Sequence, residues 1–201
     1  MFDDRLRVLK EWAMRPLARL VGWLPPAGAT LIAFFFGLLA AGLLARQWYA
    51  WGFLGWFLNR LFDGLDGSLA REQDAASDFG GYLDIVLDFA VYAAIPLGLA
   101  LGQPAAANFV ALALLLASFY VNAASWIYLA ALLEKRQQGA VAQGQMTAVT
   151  MPAGIIGGGE TILFYTAFIF WPGHLALLFG VMAALVLATV GQRLIWARRR
   201  L

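Results

Sequence analysis

Four aspartates, Asp63, Asp66, Asp84 and Asp88, interrupt two predominantly apolar segments of the sequence. The members of each pair are three or four residues apart, which places both carboxylates within about 60° of each other on one helix face. Four carboxylates at close range repel one another, and divalent cations that prefer oxygen ligands remove that repulsion. The spacing therefore predicts a site for Mg²⁺ or Mn²⁺. If these apolar segments cross a membrane, the carboxylates could instead form contacts between helices or a proton relay.

Three small residues lie on the same helix faces as the aspartates: Gly67, Ala70 and Gly80. Small side chains let a ligand approach the helix backbone closely, although they also favour tight helix packing. Arg71 follows at the end of the first of these helices. Its guanidinium could bind a phosphate through two hydrogen bonds, and an excess of arginine at cytoplasmic helix ends explains it equally well.

The composition is typical of a membrane protein. Of 201 residues, 62% are hydrophobic and 13% are charged, and the mean hydropathy is +0.74, which argues against a soluble globular domain. The absence of cysteine excludes disulfides, thiolate metal sites and cysteine nucleophiles. The 14 basic and 12 acidic residues nearly balance, and this argues against a nucleic-acid partner.

The fold class predicted from the apolar segments is an all-α integral membrane bundle, since each helical crossing requires about 20 apolar residues. Residues 3–23 alternate apolar and basic side chains at helical spacing, which predicts an amphipathic helix at the membrane interface. We therefore divide the chain into an interfacial helix (1–24) and a six-helix transmembrane catalytic domain (25–201). The expected membrane helices are residues 25–46, 48–71, 79–101, 105–134, 155–171 and 174–196.

The distribution of Lys and Arg predicts the orientation of the helices. Basic residues are concentrated before the first helix, after the second and fourth helices and at the end of the chain. By the positive-inside rule, both termini and the connection between the second and third helices face the cytoplasm. The first 25 residues lack an uninterrupted apolar core and a small-residue cleavage site, so no cleaved signal peptide is expected. The four aspartates lie towards the cytoplasmic ends of their helices.

Taken together, the chemistry-bearing residues resemble the signature of the CDP-alcohol phosphotransferase (CDP-alcohol phosphatidyltransferase) family. Eight specified positions occur at fixed offsets within 26 residues: Asp63, Asp66, Gly67, Ala70, Arg71, Gly80, Asp84 and Asp88. The resemblance implies transfer of a substituted phosphate from a CDP-linked donor to an alcohol, with release of CMP. For a prokaryotic member of this length it implies CDP-diacylglycerol as the donor, the inner (cytoplasmic) membrane as the location and a homodimer as the assembly.

The resemblance also implies residue roles. The metal ligands would be Asp63, Asp66, Asp84 and Asp88, and Asp88 would also be the catalytic general base on the acceptor hydroxyl. The nucleotide-binding residues would be Asp63, Gly67, Ala70, Arg71, Gly80 and Thr30. Thr30 belongs to a Pro26–Thr30 element that keeps the proline and threonine of a family pattern but lacks its asparagine.

The acceptor remains open at this stage among serine, glycerol phosphate, inositol phosphate and other small polar alcohols. Lys135 and Arg136 could hold an acceptor phosphate, although the positive-inside bias also explains them. Glu160 could orient a cationic acceptor, but an acidic residue is also common at a helix start. Asn122 and Ser125 could line an acceptor pocket or bond between helices.

Two alternative functions use the same carboxylates. In the first, a CDP-linked headgroup is transferred to diacylglycerol. In the second, the chain binds or transports divalent cations without catalysis. A transporter needs access from both faces of the membrane, whereas all four aspartates cluster towards one face.

Overall fold

The computed structural model describes Met14, residues 16–136 and residues 154–201. This part of the chain is helical and contains no β-strand. Its long helices are α1 (Pro26–Ala45), α2 (Tyr49–Glu72), α3 (Asp78–Gly102), α4 (Ala106–Lys135), α5 (Gly158–Phe170) and α6 (Leu175–Arg200), with a 3₁₀ turn at Pro172–His174. Residues 16–20 are also helical, and most of the interfacial helix predicted for residues 3–23 lies outside the described residues.

The predicted helices are confirmed, with the largest differences in α5 and α6. Helix α5 begins at Gly158 rather than at residue 155, and Gly157 fixes this start because its N–H donates to the Glu160 side chain and its carbonyl accepts from the Thr161 backbone. Helix α6 continues to Arg200 rather than to residue 196, and cationic side chains in its last turn interact favourably with the helix dipole.

Among the described residues, four helical segments are long and apolar enough to cross a membrane: α1, α3, α4 and Pro172–Arg200. Helix α2 carries the site charges, and α5 has only 13 residues. Length and composition therefore support four crossings directly. The predicted count of six crossings also includes α2 and α5, which these criteria do not select.

The described chain forms two units. The first comprises the residues up to Ala105 together with Tyr165–Gly173, and the second comprises those of Ala106–Phe164 together with His174–Leu201. In the first unit α1 packs closely against both α2 and α3, and in the second α4 packs against α6. Helix α1 is therefore the common support for the two helices that carry the aspartates.

Glycines allow the close approach of α1 to its neighbours. A Cβ atom on Gly98 of α3 would lie 2.3 Å from the carbonyl oxygen of Ala41, and one on Gly55 of α2 would lie 3.0 Å from the Cβ of Ala40. Small residues at such contacts let membrane helices pack backbone to backbone. This packing fixes the depth at which α2 and α3 present their carboxylates.

The ends of α2 and α3 are held by polar contacts. Ser77 caps α3 by accepting a hydrogen bond from the Gly80 backbone at 3.1 Å. After α2, the amide of Gln73 donates to the carbonyl oxygens of Gly22 (3.1 Å) and Leu24 (2.8 Å). These contacts anchor the connection between α2 and α3 next to the aspartate-bearing segments.

Candidate active site

Three of the four aspartates line one small cavity in the first unit. Asp63 of α2 and Asp84 and Asp88 of α3 share this cavity with Thr30 of α1. Its volume of about 10 Å³ is near the lower limit for a cavity that holds one water molecule. The structure therefore brings these three carboxylates to one small space, in which Asp84 and Asp88 lie together as two residues on one helix face.

Asp66 has a different environment from the other three aspartates. It is buried, with 7% of its surface exposed, and it is not among the residues that line the cavity. Its Oδ2 atom accepts a hydrogen bond from the Thr30 hydroxyl at 2.9 Å, and its Oδ1 atom accepts one from the Gly67 backbone at 2.5 Å. Asp66 and Thr30 therefore link α2 to α1 in this conformation.

Arg60, which the sequence analysis did not single out, contacts two of the cavity aspartates. Its Nη2 atom donates to Oδ1 of Asp88, and its Nη1 atom lies 3.6 Å from Oδ2 of Asp63. The other two contacts go to neutral groups, the hydroxyl of Tyr92 at 3.0 Å and the side-chain oxygen of Asn59 at 2.8 Å. Only 10% of the Arg60 side chain is exposed.

An aromatic cluster surrounds the Arg60 guanidinium. Its Cζ atom lies 4.8 Å from the ring centroid of Trp56 and 5.1 Å from that of Tyr92. Tyr165 stacks on Trp56 with 5.1 Å between ring centroids and donates a hydrogen bond to the Tyr92 carbonyl at 2.6 Å. Both rings lie within cation–π distance of the guanidinium and so favour its present position.

The residues predicted to bind the nucleotide fall into two groups. Thr30 and Asp63 line the cavity. Gly67, Ala70, Arg71 and Gly80 are not among its lining residues. A Cβ atom on Gly67 would lie 3.5 Å from Nη1 of Arg71, so the arginine head lies over this glycine. Gly80 belongs to the capped first turn of α3, and nucleotide contact by these residues stays a prediction.

The donors at the cavity fit a divalent metal in their chemistry. They are carboxylate and hydroxyl oxygens, which Mg²⁺ and Mn²⁺ prefer, and they surround an ion-sized space. Among the described residues, however, no group of three or more acidic or histidine side chains is close enough together to hold a metal ion. Coordination of one ion by several aspartates therefore requires rotation of their side chains. The carboxylate oxygens of Asp63 and Asp88 would then contact both the ion and Arg60.

The second unit contains a buried arginine whose burial is not evident from the sequence. Arg193 of α6 is 7% exposed, and its Nη1 atom donates to Asn122 at 2.9 Å and to Ser125 at 3.3 Å. Its Nε atom is buried without a hydrogen-bond partner among the described residues. Asn122 and Ser125 thus serve as interhelical partners in this conformation, which is one of the two roles expected for them.

The remaining acceptor candidates have local contacts. Glu160 accepts a hydrogen bond from the Gly157 backbone at 3.0 Å, as an acidic residue in the first turn of a helix commonly does. Lys135 is exposed at the end of α4. Arg136 donates to the carbonyl oxygen of Leu201 at 2.9 Å. These contacts support the structural interpretation of Glu160 and leave an acceptor role for the two cations untested.

Known proteins resemble the chain in sequence and in fold. The profile of the CDP-alcohol phosphatidyltransferase family matches residues 23–197. The inner membrane protein YnjF of Escherichia coli (strain K12) is 37% identical over 172 residues, which cover 86% of this chain and 82% of that protein.

Solved structures share the helical arrangement. Phosphatidylinositol phosphate synthase (PgsA1) of Mycobacterium tuberculosis in complex with manganese and citrate superimposes with a TM-score of 0.69 at 22% identity, covering 92% of this chain and 88% of that one. The same enzyme with CDP-DAG bound gives a TM-score of 0.68 at 22% identity, covering 94% and 92%. At this identity the likeness supports the fold. Because the family profile spans most of the sequence and carries the aspartate signature with it, the chain belongs to the CDP-alcohol phosphatidyltransferase family.

Proposed function

We propose that the chain transfers the phosphatidyl group of CDP-diacylglycerol to the hydroxyl of a small polar alcohol and releases CMP, as a step in phospholipid biosynthesis. The observation that carries the proposal is the common cavity of Asp63, Asp84 and Asp88 in a chain of this family. The solved PgsA1 structure with CDP-DAG bound supports the choice of donor, because its fold is shared over most of both chains.

The proposed metal ligands are Asp63, Asp66, Asp84 and Asp88, with Mg²⁺ or Mn²⁺ as the ion. The manganese in a PgsA1 structure supports a divalent metal. When bound, such ions would neutralise charge on the diphosphate and stabilise the departing CMP. Asp66 would have to exchange its hydrogen bond with Thr30 for the metal or act from its present position by orienting Thr30.

In the proposed reaction Asp88 is the general base. Its carboxylate takes the proton of the acceptor hydroxyl while that oxygen forms a bond to the phosphatidyl phosphorus. The bond between this phosphorus and the oxygen bridging to the second phosphate breaks, and CMP leaves with that oxygen. Gly67, Ala70 and Gly80 would give room for the nucleotide near the backbone, and Arg71 would bind a phosphate oxygen.

The activity test is CMP release by the purified protein in detergent, with CDP-diacylglycerol, Mg²⁺ or Mn²⁺ and a panel of alcohols that includes serine, glycerol phosphate and inositol phosphate. We expect acceptor-dependent CMP release, which Asp88→Asn lowers by about 10²-fold or more, as loss of a general base does. The matched control is Asp74→Asn, because Asp74 is exposed outside the site and has φ 49°, a conformation that asparagine tolerates. Equal activity of the parent and Asp88→Asn would remove the assigned base.

Two further arms of this assay separate the alternatives. Diacylglycerol with CDP-linked headgroups replaces the donor and acceptor in one arm, and product formation there alone would reverse the direction of transfer. Proteoliposomes loaded with a Mn²⁺-sensitive dye form the other arm. Cation uptake without CMP release would indicate a transporter instead.

We also propose six membrane crossings in the inner membrane, with both termini on the cytoplasmic side, and a homodimeric assembly. Helix α2 has 24 residues and therefore spans about 36 Å, which suffices for a crossing despite the site charges. The chain has no cysteine, so single cysteines report sidedness without background. A maleimide that does not cross membranes should label Ala105→Cys from the periplasm and Ala76→Cys only after the cells are opened, and the reverse pattern would invert the topology.

A further inference from the structure

Arg60 lies where the two aspartate-bearing helices meet, and it contacts one aspartate of each helix, Asp63 and Asp88. It belongs to α2, one turn before Asp63, and donates hydrogen bonds to Asp88 and Tyr92 of α3. Each of its Nε, Nη1 and Nη2 atoms has a hydrogen-bond partner. The guanidinium is thus a fixed cross-link from α2 to α3 at the level of the cavity.

The surroundings of Arg60 oppose its departure. The side chain is 10% exposed and lies against the rings of Trp56 and Tyr92. Tyr165 supports both rings by stacking on the first and hydrogen bonding to the backbone of the second. A cation enclosed in this way is a permanent part of the site, unlike a surface arginine that exchanges freely between partners.

We propose that Arg60 is a positioning residue and the resident counter-cation of this carboxylate site: it orients Asp88 and moderates the affinity of Asp63 and Asp88 for divalent metal. The inference rests on the proposed function for its kinetic part only. Its positive charge lies beside two carboxylates, where it opposes the approach of another cation and competes for the same oxygens. The hydrogen bond to Oδ1 of Asp88 restricts rotation of that carboxylate.

The two roles predict opposite changes when the charge is removed. Arg60→Met keeps an unbranched apolar chain against the rings but eliminates the guanidinium. We expect Mn²⁺ to bind about tenfold more tightly to this variant, because a nearby repelling charge has gone. We expect kcat for CMP release to fall about tenfold or more with a smaller change in KM for CDP-diacylglycerol, because Asp88 has lost its orientation. A site that is only loosened by the mutation would bind Mn²⁺ more weakly.

Arg60→Lys separates the effect of the positive charge from the effect of the planar guanidinium that forms the hydrogen bonds. It keeps one positive charge, so its Mn²⁺ affinity should stay within about twofold of the parent. A single ammonium lacks the planar fork that serves Asn59, Tyr92 and Asp88 together, so kcat should still fall several-fold. The matched control is Asp74→Asn, which removes a charge at an exposed position outside the site and should leave Mn²⁺ affinity unchanged.

Mn²⁺ affinity is measured by electron paramagnetic resonance of the free ion on detergent-solubilised protein, without donor or acceptor, alongside a thermal melt. If Arg60→Met does not give a folded protein, Arg60→Gln takes its place with the same expected tightening. Unchanged or weaker Mn²⁺ binding by the folded neutral variant, or full kcat in Arg60→Lys, would overturn the inference even if the parent transfers phosphatidyl groups. Tighter Mn²⁺ binding in a protein that releases no CMP with any acceptor would support the counter-cation role and reject the proposed function.

Discussion

Arg60, whose side chain is 10% exposed, and Arg193, which is buried, are compensated in different ways in the two units. Arg60 of the first unit lies beside the carboxylates of Asp63 and Asp88. Arg193 of the second unit donates only to the neutral side chains of Asn122 and Ser125, and no carboxylate among the described residues forms an ion pair with it. One Arg193 donor atom, Nε, is buried and has no partner in the part of the chain that the structure describes.

Arg60 therefore belongs to a network of opposite charges that depend on one another, whereas Arg193 is a positive charge that contacts only neutral side chains. Removing Arg60 takes away the counter-charge that contacts the partly buried Asp88 carboxylate, and the loss of one partner destabilises far more than the pair as a whole stabilises. Removing Arg193 strands only neutral groups and relieves a desolvated cation. The first unit is therefore expected to respond strongly to any change in the balance of charges, whereas the second unit is expected to tolerate it.

The largest effect is expected from removing the charge of one cavity carboxylate in the first unit, which should lower both CMP release and stabilisation by metal. Asp84 lines the cavity with Asp63 and Asp88, so Asp84→Asn should lower CMP release by about 10²-fold or more, as does loss of one preorganised electrostatic group. Mn²⁺ at 100 times its Kd should stabilise the parent by about 2.7 kcal/mol and the variant by much less. Melting temperatures in detergent with EDTA or Mn²⁺ measure this, with Asp74→Asn as the control. An equal Mn²⁺ effect on all three proteins would show that the ion binds elsewhere.

Replacing each arginine by methionine in a separate variant tests whether Arg60 and Arg193 differ in their effect on stability. In the metal-free protein Arg60→Met should lose about 3 kcal/mol of unfolding free energy, because the partly buried Asp88 carboxylate loses the guanidinium that it pairs with. Arg193→Met should change stability by less than about 1 kcal/mol, since lost hydrogen bonds and relieved desolvation offset each other. Thermal unfolding of both variants in one detergent is the measurement.

Added Mn²⁺ provides the internal control for this pair. It should recover part of the stability lost in Arg60→Met, because the ion supplies the missing positive charge, and it should not act on Arg193→Met beyond its effect on the parent. Equal destabilisation by the two substitutions would contradict the distinction between a compensated and an isolated arginine.

The helices and the shared faces of the aspartates were predictable because they depend on local periodicity. Helical spacing placed Asp84 and Asp88 on one side of α3, and the structure has both at the cavity. The same spacing grouped Asp66 with Asp63, yet Asp66 hydrogen bonds to Thr30 of α1. An angle along one helix does not specify which neighbouring helix a side chain meets, and that choice depends on the packing of α1 against α2.

Arg60 was missed for a related reason. Its position three residues before Asp63 is visible in the sequence and could have indicated a counter-charge for a membrane carboxylate. Its stronger contacts, to Asp88 and Tyr92, come from α3 and depend on how the two helices face each other. In the sequence Arg193 is one of several basic residues near the end of the chain, and nothing local distinguishes a buried arginine from one that only reflects the positive-inside bias.

Glycine substitutions test whether the first unit is also the more tightly packed one. Gly98→Ala would place a Cβ atom 2.3 Å from the backbone oxygen of Ala41, so α1 and α3 must separate, at a cost of about 1–3 kcal/mol. A Cβ atom on Gly180 of α6 would meet no described residue within 4 Å, and alanine there should stabilise the helix by up to about 1 kcal/mol. Thermal melts should therefore shift in opposite directions. An unchanged or higher melting temperature in Gly98→Ala would mean that α3 adjusts without loss.

The smallest expected effect concerns the hydrogen bond from Thr30 to Asp66, compared with a threonine of the second unit. Thr30→Val removes a 2.9 Å bond to a buried carboxylate, which should cost about 1.5 kcal/mol. Thr161→Val is the matched control. Its hydroxyl donates to the Gly157 carbonyl at 2.8 Å, and that carbonyl keeps the backbone bond from Thr161 at 3.1 Å, so the loss should stay below about 0.5 kcal/mol.

Kinetics of the same two variants separate the structural role of Thr30 from its predicted contact with the nucleotide. If Thr30 acts by holding Asp66 against α1, Thr30→Val lowers the melting temperature and leaves KM for CDP-diacylglycerol close to that of Thr161→Val. If Thr30 binds the nucleotide, KM rises while the melting temperature changes little. Since Thr30 lines the cavity and also bonds to Asp66, a rise in KM together with a lower melting temperature would mean that the same hydroxyl couples the position of Asp66 to donor binding.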